Sequence, residues 1–169
     1  MNSSVTIKLN RNDLKFSAAH FTIFSATERE KIHGHNFYLE IQFTAGVGDN
    51  GIFFDYRKMR KKVQSLCKKL NEKFLIPEQS DYLNISRNSD TQTVDLTFNK
   101  QKMTLLSDDL VFLPLKNITS EELSRWFLIE LTRNKEELKE NKISNICASI
   151  STTQGHRTQS EWKDHSNEK

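Results

Sequence analysis

Cysteine is scarce in this chain, with only Cys67 and Cys147 among 169 residues, far apart in sequence. That excludes a disulfide framework and fits a reducing compartment. Long apolar runs are also missing, and none approaches the length of a membrane-spanning helix. The opening MNSSVTIKLN has no basic segment followed by an apolar one, so a secretory leader is not expected and a cytoplasmic protein is. Neither sign of charge dominates: 25 Lys and Arg stand against 22 Asp and Glu, for a net +3. Many of the basic residues fall between Arg57 and Lys69, as the solvated face of an amphipathic helix would place them. Without aromatic interleaving or a nucleic-acid motif, that face predicts no nucleic-acid partner. No repeat and no linker divides the chain. Its length suits one domain spanning 1–169, with eleven Phe available for the core.

Histidine is nearly as scarce, yet three of five fall within sixteen residues: His20 at the end of FSAAH, then His33 and His35 in KIHGHNFYLEIQF. In a strand, side chains two apart share a face, so His33 and His35 project together. Gly34 between them leaves room for close approach of backbone or ligand. The same period aligns Phe16, Ala18 and His20. If the two strands pair, three imidazoles converge, and three protein ligands with an open position suit a catalytic zinc ion. The alternative for each histidine is a satisfied polar group at a strand end.

The rest of the chain reads as alternating strands and helices. Residues 5–20 are extended, with a break near Arg11-Asn12-Asp13. Residues 21–32 form a polar loop, and 33–45 a long strand with Phe37, Leu39, Ile41 and Phe43 on one face. A turn follows at 46–51, and then a short extended piece at 52–54. Asp55 caps a helix whose stripe is Met59, Val63, Leu66 and Leu70, with Cys67 as a small buried neighbour. Pro77 stops any helix after Phe74-Leu75-Ile76. Short strands fill 82–113. Thr119-Ser120-Glu121-Glu122 fits a capping box, with Glu122 reaching back, before a helix carrying Leu123, Trp126, Phe127, Leu131 and Leu138. A last strand runs from Ile143 to Ser151, and the polar tail from about 157 frays. These elements predict an α+β fold: an antiparallel sheet with two helices on one face and a small hairpin insertion.

The segments FSAAH, HGHNFYLEI, GIFFDYRKMRKKV, LNEKFLIP and TSEELSRWFLIEL occur in that order. Together they resemble the 6-pyruvoyl-tetrahydropterin synthase and 6-carboxytetrahydropterin synthase family, from about Val5 to Trp162. The resemblance implies a tunnelling fold with a four-stranded antiparallel sheet and two helices, assembled as a homo-hexamer of two trimers with sites between subunits. It implies zinc on His20, His33 and His35, and a lyase acting on 7,8-dihydroneopterin triphosphate, by side-chain cleavage or triphosphate elimination.

Several positions depart from the family pattern. The loop before HGH has no cysteine; Glu30 stands three residues before His33, resembling the variant subfamily in which glutamate replaces cysteine. That subfamily resembles folate-pathway proteins releasing 6-hydroxymethyl-7,8-dihydropterin. A carboxylate serves as base there if partial burial raises its pKa. The family's Asp-His pair is replaced by Asn71-Glu72, leaving Glu72 as a second acid–base candidate. Where the family has a glutamate anchoring the pterin, this chain has Ser151. Thr119 and Ser120 match residues contacting pterin. These departures keep two alternatives open: zinc chemistry on a non-pterin substrate, and a zinc-clamped oligomeric scaffold without catalysis.

Overall fold

The computed structural model describes residues 4–10, 13–48, 51, 54–153 and 155–164. The break at Arg11-Asn12, the tip of the 46–51 turn and the extended Ile52-Phe53 lie outside the described residues. Chain order begins with β1 (Ser4–Leu9), β2 (Lys15–His20), β3 (His33–Gly46) and α1 (Tyr56–Leu70). Next come β4 (Lys73–Pro77), β5 (Asn84–Asn88), β6 (Thr93–Phe98), β7 (Gln101–Leu106) and β8 (Leu110–Leu113). The last elements are α2 (Ser120–Thr132), α3 (Lys135–Glu140), β9 (Ile143–Thr153) and β10 (His156–Lys163).

The long strand β3 organises the main sheet. Its first half pairs antiparallel with β2 and its second half with β1, while β9 takes the opposite edge. With β10 beyond β9, these strands form the antiparallel part of the sheet. The expected four-stranded sheet is too small: the described sheet has seven strands, because β4 and β8 continue it in parallel beyond β2. The reason lies in KFLIP, which is apolar on successive residues and buried on both faces, as parallel strands are.

α1 and α2 cover one face of the sheet. Asp55 caps α1 by accepting the Arg57 N–H, and Met59, Val63, Cys67 and Leu70 are buried against the sheet. Burial pushes the Cys67 thiol up to about 12, which removes it as a nucleophile. Thr119 caps α2 through the Glu122 N–H, but the Glu122 carboxylate pairs with Arg125 instead of reaching back. The second helix also ends earlier than its periodicity predicts. Asn134 starts the short α3, which carries Leu138.

Two departures concern polar segments. Residues 84–106 form a separate three-stranded sheet, β5-β6-β7. Its Val94, Leu96 and Phe98 pack with Phe21, Ile23, Phe74 and Ile76 in a second core. Residues 165–169 of the tail lie outside the described residues, while 157–163 belong to strand β10 and are not frayed. Its inward residues include Thr158 and Ser160, whose hydroxyls bond Ser120 and Ser124 of α2 at 2.8 and 2.6 Å. These hydrogen bonds dock the strand together with Trp162, which packs against the main core, and hydrophobic periodicity does not register the hydroxyls.

Candidate active site

Strand register brings the three histidines together. His20 lies directly opposite His33, and Ala18 opposite His35, so all three imidazoles stand on the helix-side face. Ring centroids are 4.6 Å apart for His20–His33, 5.3 Å for His20–His35 and 4.7 Å for His33–His35. One nitrogen from each lies within 4.8 Å of the others. Below them, Phe37 stacks on Phe16 at 4.8 Å and meets His20 and His35 edge-on. Gly34 plays a smaller part than expected. A Cβ there would meet the Ala18 carbonyl at an ordinary 3.7 Å.

Backbone carbonyls orient two of the rings. His20 Nδ1 lies 2.9 Å from the Ile118 carbonyl, and His33 Nδ1 lies 2.8 Å from that of Lys31. Each Nδ1 therefore donates its proton, and each Nε2 keeps a free lone pair. His20 Nε2 is buried without a hydrogen-bond partner among the described residues. An orphaned lone pair among two further imidazoles is costly by itself and fits a metal ion. Burial lowers the pKa of His20, followed by the neighbouring histidines, against the pull of the Ile118 carbonyl. Burial and His33 also lower that of His35. Both rings are thus neutral near pH 7, as ligation requires.

Glu30 shares this cavity of about 220 Å³, which is also lined by Thr22, Phe37, Thr119, Ser120, Glu121 and Thr152. The 21–32 loop holds Glu30 in place through a two-way backbone and side-chain exchange with Thr22. The Glu30 N–H donates to the Thr22 carbonyl at 2.8 Å, and the Thr22 N–H donates to Glu30 Oε2 at 2.9 Å. The expected upward pKa shift does not occur. Burial raises the carboxyl, but the Thr22 hydrogen bond and the adjacent His33 and His20 outweigh it, and the net shift is downward. Glu30 is ionised at neutral pH and available to accept a proton.

The remaining candidates divide. Thr119 and Ser120 line the histidine cavity at the start of α2. Ser151 does not. It pairs with Tyr38 on the opposite face of the sheet and lines a larger cavity of about 690 Å³. Glu72 is exposed in a left-handed turn (φ 58°) after α1, where its N–H bonds the Ser17 carbonyl. Asn71 is a structural residue there, its Oδ1 accepting the Ser17 N–H at 2.9 Å. The sequence reading passed over Glu121 and Thr152. Glu121 sat inside a segment read as a helix cap. Thr152 follows Ala148 and Ile150 at period two, which places it on the histidine face.

The sequence profile described as 6-pyruvoyl tetrahydropterin synthase matches residues 9–160. The chain belongs to this family. A Methanocaldococcus jannaschii protein named as a candidate 6-carboxy-5,6,7,8-tetrahydropterin synthase is 25% identical over 138 residues, covering 81% of this chain and 83% of that protein. The structure of Plasmodium falciparum 6-pyruvoyl tetrahydropterin synthase superimposes with a TM-score of 0.88 at 25% identity, over 96% of this chain and 100% of that one. Plasmodium vivax 6-pyruvoyltetrahydropterin synthase, solved with a catalytic glutamate replaced by alanine, gives 0.88 at 22% identity over the same shares. The pterin synthase fold therefore extends to the insertion and to β10. Among the described residues, no helix is long and apolar enough to cross a membrane.

Proposed function

We propose that this pterin synthase family member is a zinc-dependent lyase that cleaves the side chain of 7,8-dihydroneopterin triphosphate. The observation that carries the reading is the partnerless, buried His20 Nε2 beside His33 and His35, in one cavity with an ionised Glu30. His20, His33 and His35 would hold the metal. When bound, zinc supplies Lewis-acid polarisation of the substrate's side-chain hydroxyls.

The chain's own residues do the rest. Glu30 takes the proton from the hydroxyl on the carbon that leaves as an aldehyde when the side-chain carbon–carbon bond breaks, and returns it to the carbon kept on the pterin as the hydroxymethyl group, a role its fixed position opposite Thr22 supports. The P. vivax relative, with its catalytic glutamate, is consistent with a carboxylate in that role. Thr119 and Ser120 offer hydroxyls at the cavity wall to orient the substrate. Phe37 walls the cavity with an apolar face that excludes water. Glu72 stands outside its own chain's cavity, so its part is played across a contact in a homo-hexamer whose sites lie between subunits.

The test is a reaction of zinc-loaded protein with 7,8-dihydroneopterin triphosphate, with products identified by mass. Release of 6-hydroxymethyl-7,8-dihydropterin is expected. Triphosphate elimination as the sole outcome would replace cleavage with the other chemistry. No pterin turnover and no pterin binding would reject the reading.

A further inference from the structure

Arg29 precedes Glu30 on the 21–32 loop, and its guanidinium lies against two rings of the second core. Its Cζ is 5.1 Å from the centre of the Phe21 ring and 5.7 Å from that of Phe98. Phe21 opens the loop, Phe98 closes β6 of the insertion sheet, and both are buried. Ring faces so placed attract a cation through their quadrupoles. Nη1 donates to the Glu30 carbonyl at 2.7 Å, while Nε is buried without a hydrogen-bond partner among the described residues. A buried, unpaired N–H is costly, and methionine would fill the same space without one. A rigid planar donor is what arginine adds there.

The carbonyl that Nη1 meets belongs to the peptide between Glu30 and Lys31. The peptide before it is held too: the Glu30 N–H bonds the Thr22 carbonyl at 2.8 Å, and Ile23 bridges Arg29. Both peptide planes flanking the Glu30 Cα are therefore fixed, one by Thr22 and the other by Arg29. That fixes the direction in which the Glu30 side chain leaves the backbone, toward the Thr22 N–H and the histidine cavity. One residue further on, the Lys31 carbonyl accepts from His33 Nδ1, so the same short stretch of backbone carries a metal-ligand candidate.

We infer that Arg29 is a positioning residue for Glu30, and that the insertion sheet serves the site through it: Phe21 and Phe98 clamp the guanidinium, which locks the Glu30 peptide and so aims the carboxylate. The inference rests on the lyase reading of the histidine site.

Two measurements on the full chain test it. Hydrogen exchange of the metal-free protein needs no substrate. Arg29→Met keeps an apolar stem between the rings and removes the donor, so the Thr22 and Glu30 amides should exchange about tenfold faster, with the α1 amides unchanged. The second readout is single-turnover cleavage of bound 7,8-dihydroneopterin triphosphate by zinc-loaded protein. Arg29→Met should slow that step about 10- to 100-fold, with zinc and substrate affinities near wild type. Added to Glu30→Ala, it should slow the step no further. Arg29→Lys, which keeps a charge and a donor, should recover part of the loss, and Phe98→Leu should slow cleavage about 2- to 5-fold. Unchanged exchange at Thr22 and Glu30, faster exchange throughout α1, or a wild-type cleavage rate in Arg29→Met or Phe98→Leu overturns the inference. Equal slowing with and without Glu30 overturns it as well, because Arg29 would then act elsewhere. A wild-type protein that cleaves no pterin rejects the lyase reading, and the exchange rates still decide whether Arg29 fixes Glu30.

Discussion

Replacing Phe37 with alanine should loosen the core and the metal site together, because this ring is part of both. Phe37 is 1% exposed, stacks on Phe16 at 4.8 Å with 14° between planes, and supports His20 and His35 at 5.6 and 5.8 Å. Truncating a buried Phe costs about 3–5 kcal/mol, the lost stack included. For a chain of this size that corresponds to a melting temperature lower by roughly 6–20 °C. The second effect is read with zinc present. At a zinc concentration about 100 times the wild-type Kd, binding adds about 2.7 kcal/mol to stability. Loss of ligand support on the scale of other ligand-orienting groups weakens affinity about 10- to 100-fold. The zinc increment then shrinks to roughly 0.4–1.4 kcal/mol at the same concentration. Thermal melts of both proteins, with chelator and with zinc, give all four values. A variant that loses less than about 2 °C without metal, or keeps the full zinc increment, refutes the reasoning.

Three further outcomes follow from particular contacts. Burial lowers the His20 pKa from its ordinary 6.5. The unfolded chain therefore takes up a proton that the folded chain refuses, so metal-free stability is flat above that value and falls as pH drops below it. Urea midpoints between about pH 7.5 and 5.5 should show this fall, and His20→Gln should reduce it, leaving the share that the likewise lowered His35 contributes. Asn71→Ala removes the acceptor of the Ser17 N–H and should cost about 1 kcal/mol in urea unfolding. Lost turnover with unchanged stability would show that Asn71 acts in the reaction instead. Finally, an inactive Glu30→Ala protein co-refolded with an inactive Glu72→Ala protein should regain part of the activity, if one site draws on two chains. No recovery, with mixed oligomers verified by mass spectrometry, removes Glu72 from the site.

Much of this arrangement is legible in the sequence because strands repeat with period two. That period alone puts His33 and His35 on one face and aligns His20 with Phe16. It does not give the register, and the pairing of His20 with His33 is what closes the cluster. The α1 stripe was equally readable, since burial there follows helical spacing. Other elements were hidden for physical reasons. β4 is buried on both faces and lacks alternation, so its place between two cores does not show. β10 docks through Thr158 and Ser160 hydroxyls as well as Trp162, and the hydroxyls read as a polar tail. Burial around Glu30 was foreseeable, but the Thr22 N–H that reverses its effect on the carboxyl depends on loop geometry.

The central claim is that Glu30 moves the proton in a pterin site built on His20, His33 and His35. The most direct measurement is single-turnover kinetics of Glu30→Ala against wild type, both zinc-loaded and with bound 7,8-dihydroneopterin triphosphate. The account predicts near-normal zinc and substrate binding, with the cleavage step slowed by about 10²- to 10⁴-fold. Cleavage at the wild-type rate in Glu30→Ala would contradict it.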